Sequence, residues 1–535
     1  MIRQTQSDYR DIGQFVVGEW TVDPGAHTVF SGSTISKLEP KAMQVLVHLA
    51  ANAGSVVTRS ELEGTVWAGM VVGYDALSNT IIKIRKAFFD QVKQPRIVET
   101  IPKSGYRLIA PVSGIGVSVK PDLSDRMSDL CDASGNVYPA LPEQPSVAVL
   151  RFKNLAAGMV QDYLCDGLAE DIILDLSKLS GLFVIASNSS FVCDYEQIDP
   201  RTLSRELGVQ FIVTGIVRPG QKGISITLQL IDGTTGGVKW AERYDIRTDG
   251  LFNFQDNVRR AILDALKLGI STTESNQLKR RGTDSEESYH HFLHGRELDR
   301  QDNKTANQRA RKLFHSAISC DSGFSDAYSY LSRNLAVCFI NRWSDESEGM
   351  LQSAIDTAQT AVQLDGFSSH GHFALGASTL WLRKHETALN EAEQAISLDP
   401  NFAEGFALRG MIQMYSGEPA AAISSLNKAM RLDPFYRDAY LHIIAQAYFH
   451  NQQYPETVRA LKNRLIRKPD SDTSRVLLAA TYAHQGNLDS SRLQWKRALE
   501  INPDYSLEHK REILPYRNPQ DFRHFESGLL KAGVL

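Results

Sequence analysis

The chain has 535 residues, a formal net charge of −4 and an isoelectric point near 6.4. It is therefore too long for one core and lacks the overall basic field of a protein that coats nucleic acid. A hydrophobic content of 42% and a charged content of 22% exclude a disordered chain, and no run reaches the roughly 18 apolar residues of a membrane helix.

The elements begin with strand-like Phe15-Val16-Val17-Gly18-Glu19-Trp20-Thr21-Val22 and Thr28-Val29-Phe30. A helix is expected over Leu38 to Ala50, with Pro40 near its start, Met43, Leu46, Val47 and Ala50 on one face, and Gly54 after it. A second is expected over Thr58 to Trp67, where Thr58 and Glu61 form a capping box. In the third, Leu77, Ile81, Ile84 and Phe88 recur at steps of 4, 3 and 4 and form one apolar face. At about 100° per residue, Asn79, Ile82, Lys83 and Lys86 come out opposite and Arg85 on the flank. Arg96 to Ile101 reads as a strand, Pro102-Lys103-Ser104-Gly105 as a turn, and Tyr106 to Ile109 as the returning strand.

A helix with an apolar back and a front of lysine, asparagine and an aliphatic side chain suits a major groove. Lysine takes phosphate or guanine, asparagine takes adenine, and the aliphatic group touches a thymine methyl. From Lys37 to Val112 there are ten basic and six acidic residues, a balance of +4 that leaves −8 for the rest of the chain. Phosphate attraction is thus concentrated in this segment.

The Leu38-Glu39-Pro40-Lys41 and Thr58-Arg59-Ser60-Glu61-Leu62 signatures, the Leu77 to Lys86 helix and the Ile97 to Leu108 hairpin resemble the OmpR/ToxR-type (OmpR/PhoB-type) winged-helix DNA-binding domain over residues 13–112. The resemblance implies a third helix in the major groove and a wing at the adjacent minor groove or backbone. It points to Asn79, Lys83 and Arg85 on the helix and to Arg107 on the wing, and the full candidate set is Asn79, Ile82, Lys83, Arg85, Lys86, Lys103 and Arg107. Ile82 departs from the polar or basic residue common there. The loop Ala68 to Tyr74 contacts RNA polymerase in some relatives. ToxR- and CadC-like relatives carry a membrane span after this domain, where Val112 to Val119 is too short and too polar to be one. No signal peptide is expected from the polar start of the chain, and no receiver domain precedes the winged helix, so aspartate phosphorylation is not indicated.

Residues 113–144, rich in Ser, Gly, Asp and Pro, read as a linker. From Pro145 the pattern alternates. Strands are expected at Ser146–Phe152, Leu182–Ala186, Phe211–Val217, Ser225–Ile231 and Val238–Tyr244, with helices at Asp166–Ser177, Thr202–Leu207 and Asn253–Leu268. The stretches Ala148 to Leu155, Asp166 to Asp171, Arg205 to Val209 and Leu230 to Asp245 resemble the TolB-amino-terminal-like (FlgO-like) domain over residues 145–270, with Arg151 where proline is frequent. Glu170, Asp171 and Asp232 invite a paired-carboxylate reading, but the first two suit the positive end of a helix and Asp232-Gly233 is a turn signal.

Further on, the endings Asp365-Gly366, Asp399-Pro400, Asp433-Pro434, Lys468-Pro469 and Asn502-Pro503 fall at spacings of 34, 34, 35 and 34. That period is the tetratricopeptide (TPR) signature. An earlier copy ends at Ser322, 44 residues before Gly366, so about ten residues are inserted near Arg342 to Met350. Gly376 and Gly410 sit where two helices pack closely, with Ala388 and Ala422 facing them. The array is expected over residues 285–505, as an all-α superhelical solenoid with a groove for a peptide or protein, and residues 506–535 as a helical cap. His290, His291 and His294 form the one histidine cluster, read as a solvated helix start.

The five cysteines, Cys131, Cys165, Cys193, Cys320 and Cys338, are odd in number and form no C-x-x-C pair, which fits reduced thiols in a cytoplasmic protein. The expected fold class is multidomain: an α+β winged helix, a mixed α/β middle domain and an all-α TPR solenoid. The expected function is DNA-binding transcriptional regulation, activating rather than repressing. Its expected partners are double-stranded promoter DNA, RNA polymerase and a protein in the TPR groove, with self-association through the repeats and no catalytic residue, cofactor or metal. The alternative is a TPR scaffold or cyclase-associated signalling protein whose winged helix no longer reads DNA.

Overall fold

The computed structural model describes residues 15–534 except 32–33, 54–55, 60–61, 63–65, 67–75, 91–94, 102–104, 111, 114–137, 157–161, 193–197, 221–222, 247–250, 270, 272–273, 276–281 and 344–346. Most of the expected second helix, the expected linker and the loop Ala68 to Tyr74 therefore lie outside the described residues.

The amino-terminal domain opens with four short strands, β1 (Phe15–Val17), β2 (Trp20–Asp23), β3 (Thr28–Ser31) and β4 (Thr34–Lys37), in an antiparallel meander that β8 (Val112–Ser113) joins beside β1. Alternation drives it: Phe15, Val17, Trp20, Val22 and Val29 point into the core. Two described helices follow, α1 (Pro40–Ala51), with Pro40 in its first turn, and α2 (Ala76–Ala87). A second sheet has the order β5 (Val56–Thr58), β7 (Gly105–Leu108), β6 (Val98–Ile101). Strand β5 was not expected from the sequence. It lies so close to the hairpin that a Cβ on Gly105 would fall 2.1 Å from the Val57 carbonyl oxygen, which explains the glycine. Met43, Leu46, Leu62, Leu77, Ile81, Ile84 and Phe88 join the strands in one core.

The second compact body holds the α/β domain and the first repeats. Its sheet runs β11 (Phe183–Val184), β9 (Ser146–Val149), β12 (Phe211–Gly220), β13 (Gly223–Asp232), β14 (Val238–Ile246), with β10 (Lys153–Asn154) also on β12. The pairs of β9 with β11 and β12 are parallel; β12–β13–β14 are antiparallel. The central β9 is buried throughout, as a continuous apolar run requires. Helix α3 (Asp162–Ser177) begins four residues earlier than expected. A short helix α4 (Ser187–Val192) was not foreseen; α5 (Pro200–Leu207) is capped by Asp199 and ended by Gly208 at φ 63, and α6 (Leu251–Leu266) completes the layer.

Six helix pairs follow in sequence: α7 (Glu286–Asp299) with α8 (Lys304–Cys320), α9 (Ser325–Ile340) with α10 (Ser347–Leu364), α11 (Ser369–Trp381) with α12 (His385–Leu398), α13 (Ala403–Tyr415) with α14 (Pro419–Leu432), α15 (Asp438–His450) with α16 (Tyr454–Arg467), and α17 (Asp472–His484) with α18 (Leu488–Ile501). Helices α19 (Leu507–Ile513) and α20 (Pro519–Lys531) end the chain. The extra residues of the second pair are spread out. Helices α9 and α10 have 16 and 18 residues against 13 and 14 in α11 and α12, and residues 341–346 replace a linker of the length of 382–384. A Cβ on Gly376 would lie 3.1 Å from the Ala388 carbonyl oxygen, and one on Gly410 3.1 Å from that of Ala422.

The α/β domain is seated against these repeats rather than tethered beside them. Asn401 donates to the carbonyls of Ser177 and Leu182 at 2.9 Å and accepts from Val184 N, and Ala186 N donates to the Leu432 carbonyl. The repeat-ending aspartates are used: Ser177 Oγ donates to Asp399 at 2.8 Å, while Ser189 and Asn188 donate to Asp433. Burial pushes the Asp399 carboxyl up to about 6 against an ordinary 3.8, with Ser177, the Asn401 amide and Lys178 offsetting part of it. Its folded value is thus above its unfolded one, so its contribution is present below about pH 4 and lost as pH rises through about 6. Denaturant titrations of the whole chain are expected to show this body losing about 1–3 kcal/mol between about pH 4 and 7 from this group, a share that Asp399→Asn removes.

Candidate nucleic-acid interface

Helix α2 owes its position to four buried side chains, Leu77, Ile81, Ile84 and Phe88, which lock it onto α1 and the sheets. Trp20 holds the far end, edge-on to Phe88 at 5.7 Å and stacked on Phe89 at 5.9 Å. This anchoring turns Asn79, Ile82, Lys83 and Lys86 outward together. Ile82 is 56% exposed on this outward face, so its aliphatic group is open to contact from outside the domain.

Lys83 forms an ion pair with Glu39 at 2.7 Å, both largely exposed. Such a pair is worth roughly 0–1 kcal/mol and yields readily to a phosphate. On the wing, Arg107 stands opposite Glu99 in the β6–β7 register, and its Nε and Nη2 both donate to Glu99 Oε2 at 3.0 and 2.6 Å. About a third of each side chain stays exposed. Lys103 lies outside the described residues.

Arg85 is the correction. It is 7% exposed, and its guanidinium is spent inside the domain: Nε and Nη2 donate to the Val98 carbonyl at 3.1 and 2.8 Å, and Nη2 to Thr100 Oγ1 at 2.8 Å. These bonds tie the helix to β6 and leave the guanidinium facing the wing rather than the outward face expected of a DNA contact. Periodicity put it on the flank but could not show that a strand carbonyl lies there. Arg85→Ala is expected to cost the amino-terminal domain about 1.5–3 kcal/mol, the range for hydrogen bonds to a charged donor, read as an earlier unfolding transition by calorimetry. The neighbouring Asp90, unnoticed in the sequence, accepts from Arg96 N at 2.6 Å and Val98 N at 2.9 Å and so starts the same strand.

Asp232, Glu170 and Asp171 are each engaged by partners within the protein. Asp232 accepts from Thr234 and Thr235 and is held below its usual range, as in a turn. Glu170 and Asp171 lie in the middle of α3, not near its amino-terminal end as the shorter expected helix suggested, so the dipole is not what they serve. Arg296 of α7 pairs with Glu170 at 2.7 Å and Asp171 at 3.2 Å, and Arg300 pairs with Glu170 as well. His290 and His294 are not simply solvated; both rings pack on Tyr163, His294 stacked at 5.1 Å. Among the described residues, the one trio with metal-ligand chemistry in reach is Glu287, His291 and Cys320, within 4.8 Å of one another. Cys165 and Cys338 are buried free thiols and Cys320 an exposed one; Cys131 and Cys193 lie outside the described residues. No described helix is long and apolar enough to cross a membrane.

Residues 33–108 match the family described as transcriptional regulatory protein, C terminal, and residues 403–436 match a tetratricopeptide repeat. The chain is 39% identical over 264 residues to a protein named putative adenylate cyclase 3 of Rhizobium meliloti (strain 1021), covering 49% of this chain and 45% of that protein. It is 34% identical over 97 residues to the transcriptional activator CadC of Escherichia coli (strain K12), covering 18% of this chain and 19% of that one. Among solved structures it is similar to the DNA-binding domain of E. coli CadC, at 32% identity over 19% of this chain and 94% of that domain, with a TM-score of 0.18. The chain thus spans less than half the length of these two curated relatives. Over residues 33–108 it carries the winged-helix domain of transcriptional regulators, and its carboxy-terminal part is a TPR-type helical array.

Proposed function

We propose that the chain is a cytoplasmic, DNA-binding transcriptional regulator that acts through promoter DNA and RNA polymerase, as an activator, and has no catalytic activity of its own. The observation that carries this reading is the outward face of α2. Asn79, Ile82, Lys83 and Lys86 are exposed together on a helix whose other side is fully committed to the core, within a domain matched to transcriptional regulators. Asparagine and lysine supply base-edge and phosphate contacts, Ile82 an apolar contact for a thymine methyl, and Arg107 a cation at the wing. The α/β domain and repeats form the receiving part. The 264-residue match to the cyclase-named protein is longer than the winged helix and so runs into that part, which supports a regulatory unit usable with different outputs. Selection of bound fragments from upstream DNA of the source genome by the full chain, followed by a transcription assay on the best fragment, tests the reading. Enrichment of one sequence with raised transcription supports it; uniform recovery of all fragments contradicts it.

A further inference from the structure

The face of the repeats that the α/β domain covers is not fully closed. Between α3 and α4 on one side and α7, α9, α11, α13 and α15 on the other lies a cavity of about 100 Å³. A water needs roughly 10–15 Å³ by this measure, so there is room for several waters or one small organic ion.

Charge surrounds it, and the donors and acceptors are unequally used. Glu170 accepts from Arg296, Arg300 and Ser187. Glu404 accepts from Arg333 through both oxygens, at 3.0 and 3.1 Å, and from Arg437 at 3.4 Å. Asp399 and Asp433 accept from the α/β domain as described, and Asp299 accepts from Asn334 at 2.9 Å. The carboxylates that line the space are therefore all engaged.

The donors are not. Arg437 meets its one acceptor through Nη1 and Arg300 its one acceptor through Nη2, so each has guanidinium N–H groups left over. Tyr330 and Tyr440 line the cavity, are 8% and 5% exposed, and have no hydrogen-bond partner for their hydroxyls among the described residues. Neither hydroxyl is sealed off from the cavity, so each is left to bond whatever occupies that space. His370, stacked on Tyr330 at 5.5 Å, is kept neutral by burial, its pKa lowered to about 3, and so adds a flat uncharged ring to the wall.

We propose that this cavity is a binding site for a small oxyanion-bearing ligand, a carboxylate or a phosphate, taken by the hydroxyls of Tyr330 and Tyr440 and the free guanidinium edges of Arg300 and Arg437. A guanidinium fork matches the two oxygens of such a group, and the Arg437 and Arg300 side chains, 47% and 29% exposed, leave those edges open to an incoming ligand. The five acids of the lining set the limit on the ligand. A large or multiply charged anion meets their field, so a compact ion with one or two charges fits. The ligand touches walls from both the α/β domain and the repeats and therefore stabilises their seating, as any ligand of the native state does. This site gives a chemical class to the receiving half of the function proposed above. Its test reads ligand binding alone, so failure here and failure of DNA reading are separate results.

Calorimetric titration of the full chain with succinate in one arm and inorganic phosphate in the other decides it, with Tyr440→Phe and Arg437→Gln as variants. Tyr440→Phe removes one hydroxyl that has no protein partner and is expected to leave the fold, followed by circular dichroism, unchanged. Saturable binding at millimolar concentration or below, weakened at least tenfold in both variants, supports the site, and the arm that binds names the oxyanion. No saturable heat in either arm, or equal affinity in the parent and a folded Tyr440→Phe chain, overturns it.

Discussion

Arg296→Ala is expected to cost the α/β–repeat body about 3–5 kcal/mol, the range for removing one partner of a buried ion pair. Arg296 is 3% exposed and holds two carboxylates at once, with Phe292 beneath its guanidinium at 5.3 Å. Burial alone would raise Glu170, yet Arg296 and Arg300 beside it hold it below its usual range. At Asp171 burial wins over Arg296 and Tyr289, and that carboxyl sits above its usual range. Without Arg296 both acids lose their main counter-charge in a site that water barely reaches. Arg300→Ala is expected to cost less, since its side chain is 29% exposed and Arg296 remains beside Glu170. Urea denaturation followed by helical signal reads both. A loss below about 1 kcal/mol for Arg296→Ala would mean that the network is neutral to stability, as buried ion pairs are when water relieves them.

Asn79→Ala combined with Lys83→Ala is expected to remove most of the sequence-selective part of DNA binding. A bidentate asparagine–adenine contact is worth about 1–3 kcal/mol, or roughly 5- to 150-fold, and its loss relaxes the preference at one base pair. The lysine contributes mainly a phosphate contact. Its loss weakens all sequences about equally and lowers the salt slope by about 1. Neither side chain packs into the core, so the variants keep the fold, in contrast to Arg85→Ala. The pair therefore separates reading from folding, which is the distinction that the Arg85 geometry makes necessary.

Much of this was legible in the sequence, where one residue's neighbours along the chain decide its role. The face of α2, the helix pairs and their glycine–alanine contacts follow from periodicity alone, because a helix repeats its environment every three or four residues. The ten-residue insertion was legible in length but not in form; it is shared between longer helices α9 and α10 and a longer linker between them. What was not legible depends on partners distant in sequence. Arg85 looked like any cation on a basic helix until Val98 and Thr100 were brought beneath it. Glu170 and Asp171 looked like helix-dipole acids because their partners, Arg296 and Arg300, lie more than a hundred residues away. The repeat-ending aspartates Asp399 and Asp433 belong to the periodic signature, which gave no hint that they also receive Ser177 and Ser189 of another domain. The groove expected to await a partner is partly covered by the chain's own α/β domain for the same reason.

Everything proposed for the amino-terminal domain depends on the α2 face reading DNA. Its most direct test is the affinity of the full chain for its best upstream fragment and for a scrambled fragment, by fluorescence anisotropy at two salt concentrations, beside the Asn79→Ala/Lys83→Ala and Arg107→Ala chains. The parent chain is expected to prefer the chosen fragment, with a preference that weakens with salt and collapses in the double variant. The Arg107→Ala chain should keep the preference at lower affinity. Equal affinity for the two fragments in the parent chain, or a preference untouched by the double variant, would contradict it.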